Sequence, residues 1–222
     1  MNDEHKRGAS LGLLASTAGS MDAIAFLTLG NVFTSAMSGN TVLFGLALGQ
    51  GRLSAASYAL VAFVGYVVGV AGAALPLRIP DKGIERTLLI KTLFLAAFAL
   101  LWTALGGPTT PIEIYTLIVL SSVSMGMQGA VGRVVGVPGV PTIVITSTLT
   151  AIVATITERT ISHDRPALPH STQHQIATFA SYLVGAIVAG FAVSHWPAVA
   201  PFIPLAVAVT LTSGLTLRLL RL

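Results

Sequence analysis

The chain has 222 residues, of which 54% are hydrophobic and 9% are charged, and its formal net charge is +4. A soluble domain carries about 25% charged residues, so this composition excludes an ordinary water-soluble fold and indicates a membrane protein. The basic residues form no cluster interleaved with aromatic residues, which argues against a nucleic-acid-binding protein. The absence of cysteine excludes a thiolate metal site and a thiol nucleophile.

Six apolar runs are long enough to cross a bilayer as helices. A helix needs about 20 residues to cross roughly 30 Å of hydrocarbon. The first run follows a polar start, MNDEHKRGAS, and has no small-residue cleavage pattern, so we expect it to be retained as a transmembrane helix. The predicted spans lie at 10–29, 54–76, 87–106, 112–131, 175–195 and 199–217.

Two shorter segments, 31–50 and 134–157, lie between these spans. Each begins with a polar or Gly/Pro-marked stretch and ends in a short apolar helix: NVFTSAM precedes SGNTVLFGLALGQ, and GVPGVPTIVI precedes TSTLTAIVATITE. Each segment can cross the membrane, or it can enter and leave on the same side as a re-entrant half-helix.

The positions of the basic residues separate these alternatives. With both segments re-entrant, Arg52 is the only basic residue on the outer side, whereas Arg78, Lys82, Arg86 and Arg133 also move outside if both segments cross. The positive-inside rule therefore favours six spans, with both termini in the cytoplasm. The expected location is a bacterial inner membrane.

The order of spans and short segments occurs twice, over about 10–106 and about 112–217. Three full spans in each half mean that the second half enters the membrane from the opposite side. The sequence therefore predicts an all-α membrane protein, a single domain over 1–222 built as a 3+3 inverted-topology repeat, as in many transporters and channels. A chance alignment of similar apolar helices is the alternative.

Two stretches resemble a known family: GSMDAIAFLTLGNVFTSAMSGNTVLFGLALGQG and GMQGAVGRVVGVPGVPTIVITSTLTAI. Both are similar to the YoaK-like family of uncharacterised bacterial multi-pass inner-membrane proteins, a domain of unknown function. The resemblance implies a single membrane domain and implies no established substrate or reaction. Ser38 stands where the family usually has Thr, and the matching residues are Gly19, Asp22, Phe33, Gly39, Asn40 and Thr41.

Asp22 is the only carboxylate expected near the centre of a span. It lies about 18 Å from Ser10 along a helix. A charged Asp at a helix centre costs about 3 kcal/mol, so it must face a polar interior, be paired or be protonated. We expect Asp22 to couple a proton or another cation to transport; the alternative is a neutral acid that makes a helix-packing hydrogen bond.

Polar residues at the starts of the two short helices are the predicted solute contacts. A half-helix N-terminus carries a partial positive charge and free N–H groups, so it can bind a carboxylate, a halide or a polar head group. The same residues can simply cap the helices. We expect the two clusters to face one another across a shared cavity, and they comprise Ser38, Gly39, Asn40 and Thr41, then Thr146, Ser147 and Thr148.

Further polar residues have weaker functional interpretations. Gln128 can offer an amide to a ligand or to another helix. Arg133, in GRVVGVPG, can attract an anion at the cytoplasmic mouth or anchor lipid head groups. Lys91 is expected to extend to the cytoplasmic interface. His170 and His174 can share one helical face, but spacing fixes no third ligand, so neither a metal nor a cofactor is predicted.

These features predict a secondary transporter of a small polar or anionic solute, coupled to protons through Asp22. A passive channel is the alternative, because paired half-helices also build selective pores. An enzyme is disfavoured, since the spans contain no paired carboxylates. The expected partners are the lipid bilayer and a small molecule or ion. A homo-oligomer is an open alternative to packing within one chain for the glycine-rich faces with Gly65, Gly69, Gly72, Gly185 and Gly190.

Overall fold

The computed structural model describes residues 3–135, 143–161 and 168–222, and the start of the second short segment, 136–142, lies outside these ranges. The regular secondary structure of the described residues is helical. Five helices, α1, α3, α4, α5 and α7, are long and apolar enough to cross a membrane, which confirms the predicted all-α membrane fold at this level. The helices are α1 (Asp3–Thr28), α2 (Met37–Gly49), α3 (Leu53–Leu77), α4 (Gly83–Leu105), α5 (Pro111–Val135), α6 (Ile143–Ile161), α7 (His170–His195) and α8 (Phe202–Thr216).

The last predicted span is shorter than expected. α8 has 15 residues, which gives a length of about 22 Å and is less than a full crossing requires. Pro201 occupies its N-cap position, and the chain leaves the helix at its other end, where Arg218 has a left-handed φ of 56°. Five of the six predicted spans therefore reach full length.

The turn between α4 and α5 is set by local signals. Gly106 ends α4 with φ 69°, a conformation that glycine adopts without a steric penalty. α5 then begins with a capping box, because the backbone N–H groups of Thr109 and Thr110 donate to the Glu113 carboxylate at 2.7 and 2.9 Å. Pro111 takes the first helical position, where it loses no helical hydrogen bond.

Both termini of the described chain lie at one end of the bundle, which we call the terminal end. Arg221 Nη1 lies 2.6 Å from Asp3 Oδ2, and Arg7 Nη2 donates to the Val135 carbonyl at 3.1 Å. The turn between α3 and α4 and the C-terminal residues line one cavity of about 620 Å³ at this end. The start of α1, the end of α5 and the chain's C-terminus therefore meet there.

The opposite end of the bundle, the far end, holds the starts of α3 and α5. Ser57 Oγ and the Tyr115 hydroxyl share a hydrogen bond of 2.6 Å, and the two tyrosine rings of Tyr58 and Tyr115 lie 4.8 Å apart. Since α3 and α5 both end near the terminal end, they run in the same direction.

α1 and α5 form the centre of the bundle. In their most apolar windows, 61% and 72% of the residues are buried, against 22% for both α3 and α7. The outward faces of α3 and α7 are apolar, with exposed side chains that include Phe63, Val67, Ile187 and Phe191. Continuous apolar surface of this kind needs a lipid covering.

α1 and α7 approach each other through two glycines. A Cβ atom on Gly19 would lie 2.1 Å from the Tyr182 carbonyl oxygen, and one on Gly185 would lie 2.4 Å from the Ser16 carbonyl oxygen. Each helix therefore presses its backbone against a glycine of the other.

α3 and α5 repeat this arrangement. A Cβ atom on Gly126 would lie 2.1 Å from the Tyr66 carbonyl oxygen, and one on Gly69 would lie 2.1 Å from the Val123 carbonyl oxygen. The sequence-predicted close packing through Gly69 and Gly185 thus occurs within one chain.

Candidate functional site

The chain reverses direction directly after α1. Gly30 and Asn31 adopt left-handed backbone angles, with φ of 81° and 60°, and the Asn31 side chain donates to the Phe26 carbonyl at 3.0 Å. Residues 29–36, which we call the break, are not helical and then run back along α1. Such a segment needs other partners for its backbone if it lies in hydrocarbon.

Asp22 supplies two of these backbone partners. Its Oδ1 accepts hydrogen bonds from the backbone N–H groups of Thr34 and Ser35, both at 2.8 Å, and from Thr34 Oγ1 at 3.2 Å. Its Oδ2 accepts from Ser35 Oγ at 2.6 Å and from the Tyr182 hydroxyl at 2.8 Å. The carboxylate is 3% exposed and joins the break to α1 and α7.

The two oxygens of Asp22 differ in what they can do. Backbone N–H groups can only donate, so Oδ1 is fixed as an acceptor. The hydroxyls of Ser35 and Tyr182 can rotate, so the bonds at Oδ2 can rearrange without leaving a backbone group unpaired. The arrangement stabilises the ionised acid and the break at the same time.

Asn40 completes the support of the break. Its Oδ1 accepts from the Phe33 N–H at 2.8 Å and its Nδ2 donates to the Phe33 carbonyl at 2.6 Å. Gly39 lies against the Phe33 ring, which a Cβ atom would approach to 2.8 Å. The N-cap of α2 is Ala36, and no side chain caps this helix. Asn40 therefore binds the preceding segment rather than capping α2.

The other predicted solute contacts have different surroundings. Ser38 and Thr41 are exposed, and Thr41 donates only to the Met37 carbonyl, at 2.9 Å. α2 packs against α3, whereas α6, which carries the second cluster, packs against α7.

In the second cluster, Thr146 and Ser147 are exposed and Thr148 is buried, at 2% exposure. The Thr148 hydroxyl has no hydrogen-bond partner among the described residues. Thr148 therefore has an unsatisfied polar group that faces the protein.

A second polar centre joins α4 to α5 and α1. The Lys91 ammonium donates to Gln128 Oε1, and the side chains are 1% and 2% exposed. Gln128 Nε2 donates to the Leu14 carbonyl at 2.9 Å, and Ser124 Oγ donates to the Lys91 carbonyl at 3.2 Å. The expectation that Lys91 extends to the cytoplasmic interface is therefore wrong. The reason is that α4 begins at Gly83, so Lys91 lies about 12 Å along the helix rather than one turn in.

An apolar layer separates this centre from the terminal end. Leu88 lies about one helical turn closer to the terminal end than Lys91, and Val131 lies about one turn closer to it than Gln128. Beyond it lies the cavity of about 620 Å³, whose lining includes Ile84 and Val134. The buried members of the layer are Leu11, Leu14, Leu88, Val131, Leu211 and Leu215.

The structure brings Asp22 and Gln128 to different places. Gln128 bonds α1 at Leu14, which is eight residues before Asp22 and about 12 Å away along the helix. Arg133 is exposed in the last turn of α5, near the terminal end.

Sequence reasoning missed the importance of Lys91 and the role of Tyr182. The available sequence signal was Gly83, a glycine that ends a polar turn before the apolar run. α4 begins at Gly83, four residues before the predicted span, and Lys91 therefore lies further inside the helix. Tyr182 lies 160 residues from Asp22 in sequence, and no local pattern connects them.

Comparison with known proteins gives two matches. The family model "Protein of unknown function (DUF1275)" matches residues 10–214, a range that contains Asp22 and Lys91. The chain is also similar to the UPF0700 transmembrane protein YoaK of Bacillus subtilis (strain 168), with 32% identity over 188 residues and 84% of each chain covered. The resemblance to the YoaK-like family is thus confirmed. No solved structure matches the chain.

Proposed function

The chain belongs to the DUF1275 family of proteins of unknown function, and we propose that this multi-pass membrane protein is a secondary transporter of a small polar or anionic solute rather than an enzyme. The observation that carries the proposal is the Lys91–Gln128 pair, a cationic group with an amide in the centre of an apolar bundle. Ionisable residues inside membrane proteins are costly and mark solute or ion pathways.

The apolar layers around this centre support a transporter over a passive channel. A channel needs a continuous route for its ion or solute, whereas a transporter opens a central site to one side at a time. The layer with Leu88 and Val131 covers Lys91 on the terminal side, and Leu95 and Phe98 pack on its far side. Alternating access requires one of these layers to open while the other stays closed.

An inverted repeat of two halves, about 10–106 and 112–217, is part of the proposal. In such a repeat, α5 corresponds to α1 and α3 corresponds to α7. The contact of Gly126 with Tyr66 then corresponds to the contact of Gly19 with Tyr182. The same correspondence relates the reciprocal glycine contacts in the two helix pairs. This correspondence supports six crossing helices, with α8 as a shortened crossing, and with α2 and the 19-residue α6 as parts of re-entrant segments.

The proposed orientation has the terminal end in the cytoplasm of a bacterium. Arg7, Arg78, Arg218 and Arg221 are near this end, and Arg52 follows α2 towards the far end. This distribution follows the positive-inside rule for an inner-membrane protein.

The predicted contacts at the short helices take separate roles in the proposal. Asp22 and Asn40 hold the break in position immediately before α2. Ser38 and Thr146 are exposed and Thr148 has a free hydroxyl among the described residues, so these groups are available to a solute. Arg133 attracts anions to the terminal end.

Reconstituted transport tests the proposal. The full chain in proteoliposomes is given inward gradients of nitrate, lactate or glucose, with and without a proton gradient, and uptake of each labelled solute is followed. A secondary transporter accumulates at least one of these solutes with saturable kinetics and with dependence on the proton gradient. Uptake that is linear in concentration and insensitive to the gradient would instead identify a channel.

A further inference from the structure

The Lys91 ammonium has more hydrogen-bond donors than partners. An ammonium carries three N–H groups, and Gln128 Oε1 accepts one of them. Within residues 3–135, 143–161 and 168–222, no other acceptor bonds the Lys91 nitrogen, and the ion pair between Arg221 and Asp3 is distant from it. A protonated Lys91 is therefore a buried cation with two free donors and with no counter-ion among the described residues.

The titratable groups of the neighbouring helices do not supply that counter-ion. α3, α5 and α8 pack against α4. α8 has no titratable side chain, α3 has Tyr58 and Tyr66, and α5 has Tyr115 besides Glu113 and Arg133 near its two ends. Glu113 is engaged with the α5 N-terminus. The nearest deep carboxylate, Asp22 on α1, already accepts hydrogen bonds from the break and from α7.

A lone charge in this position is unstable, for a general physical reason. Removing an ammonium from water is costly even after the protein relaxes, and hydrocarbon offers no compensation. Two processes relieve the cost: Lys91 can lose its proton and remain as a neutral amine, or an anion can occupy the free donor positions. The first state suits an empty site and the second suits an occupied one.

We infer that Lys91 binds a small monovalent anion only together with a proton, so that the transporter moves the anion and the proton as a neutral pair. The inference rests on the proposed transport function and identifies its solute class and its coupling group. In the empty protein, the neutral Lys91 amine bonds to Gln128. An anion and one proton then enter together, the amine becomes an ammonium, and its two free N–H groups hold the anion.

Release on the other side reverses these steps. The proton leaves Lys91, the anion loses its counter-charge, and the protein returns to its empty, neutral state. No net charge crosses with each pair, and no other reactant is needed. Gln128 is a positioning residue in this cycle: its Nε2 is tied to the Leu14 carbonyl, so its Oε1 must face Lys91.

Proton uptake on anion binding tests the inference directly. Purified full-length protein in weakly buffered detergent solution receives nitrate or lactate at starting pH values from about 6 to 9, and a pH electrode and calorimetry record the response. Where the empty Lys91 is neutral, binding should raise the pH of the medium, with up to one proton taken up per anion. A merely structural lysine would give no such uptake.

Two variants make the result specific. Lys91→Met has a similar length without a charge and should lose anion binding completely. Lys91→Arg keeps a cation that stays protonated, so it should bind the anion with no proton uptake. Tight binding of either anion to Lys91→Met, or binding to the parent protein without proton uptake at every pH, would overturn the inference. So would the absence of binding of both anions to the parent protein.

Transport assays on the same variants test the role of Lys91 separately from the proposed transport function. If the parent and Lys91→Met both accumulate solute equally well, the transporter proposal stands and the role of Lys91 fails. If the parent accumulates none of the solutes, the transporter proposal itself fails. Coupled uptake in the parent that is lost in Lys91→Met supports both.

Discussion

The Tyr182 hydroxyl lies 2.8 Å from Asp22 Oδ2 and ties α7 to the carboxylate that holds the break. The corresponding tyrosine of the other helix pair, Tyr66, lies against Gly129, which follows Gly126 by three residues, as Asp22 follows Gly19. One half therefore has a tyrosine–carboxylate bond where the other has a tyrosine beside a glycine. This difference provides a matched control.

Replacing Tyr182 by Phe should destabilise the protein more than replacing Tyr66 by Phe. The first change removes a donor from a buried carboxylate, which costs about 1–2 kcal/mol, whereas the second removes a hydroxyl that makes no hydrogen bond to a carboxylate among the described residues. Thermal unfolding of the two variants in the same detergent measures the difference. Equal losses would mean that the Tyr182–Asp22 bond adds nothing to stability.

Asp22→Asn should leave the protein folded. The amide oxygen can accept from the N–H groups of Thr34 and Ser35, while the amide nitrogen can donate to the hydroxyls that now act as acceptors. Asp22→Leu leaves the two backbone donors unpaired and should cost about 2–6 kcal/mol. Unfolding midpoints of both variants test this order.

The same Asp22→Asn variant distinguishes the two coupling hypotheses. If Lys91 couples the proton, Asp22→Asn keeps gradient-driven accumulation with the pH dependence of the parent. If Asp22 couples it, as its depth in the sequence suggested, accumulation is lost while binding or exchange persists. Transport assays on Asp22→Asn and Lys91→Met in parallel decide which residue carries the proton.

Gly126→Ala should destabilise the helix pair α3–α5 by about 2–3 kcal/mol or more. A Cβ atom there would lie 2.1 Å from the Tyr66 carbonyl, so one backbone must move. Gly45→Ala on α2 is the control, since a Cβ there meets no described atom within 4 Å and alanine favours the helix by up to about 1 kcal/mol. A fully tolerated Gly126→Ala would contradict the close approach.

Asn40→Asp should loosen the break. A carboxylate can still accept from the Phe33 N–H, but it cannot donate to the Phe33 carbonyl, which then faces a negative charge. Because the chain has no cysteine, a single Ala36→Cys reporter can be labelled selectively. Its labelling should be faster with Asn40→Asp than with the control Thr41→Val. Unchanged labelling would mean that Asn40 does not hold the break.

Topology can be tested with the same cysteine-free background. Cysteines at Gln50 and Asp81 should react with an impermeant reagent from opposite sides of the membrane, with Gln50 on the periplasmic side. Reaction of both from the periplasm would favour eight crossings over six.

The sequence contained enough information for the helices but not for their partners. Apolar length predicts both ends of α3 and the end of α1 to within one residue, whereas α1 begins at Asp3, seven residues before the predicted start. The polar stretch after Gly30 predicts the break. The Asp22 donors Thr34 and Ser35 are local, so a polar environment for the acid was foreseeable. Tyr182 reaches Asp22 only through the packing of α1 on α7, which depends on contacts between distant parts of the chain.

The error over Lys91 has a similar physical origin. Hydropathy locates the apolar part of a span, whereas a helix begins wherever its first turn can form. Gly83 starts α4 within polar sequence and shifts every later residue inwards. A lysine near an apparent boundary can then lie in the bundle, and its hydrogen bond to Gln128 is visible only in three dimensions.

The separation of α1 from α7 in the chain has a consequence for biosynthesis. α1, with Asp22, leaves the ribosome before α7, and Tyr182 is synthesised more than 150 residues after Asp22. Without hydrogen-bond partners, insertion of the charged Asp22 side chain into hydrocarbon before Tyr182 is made would cost about 3 kcal/mol. Four of its hydrogen bonds, however, come from Thr34 and Ser35, which emerge almost immediately afterwards. The nascent hairpin of α1 and the break can therefore shield its own charge during insertion, and α7 adds the final bond when it docks.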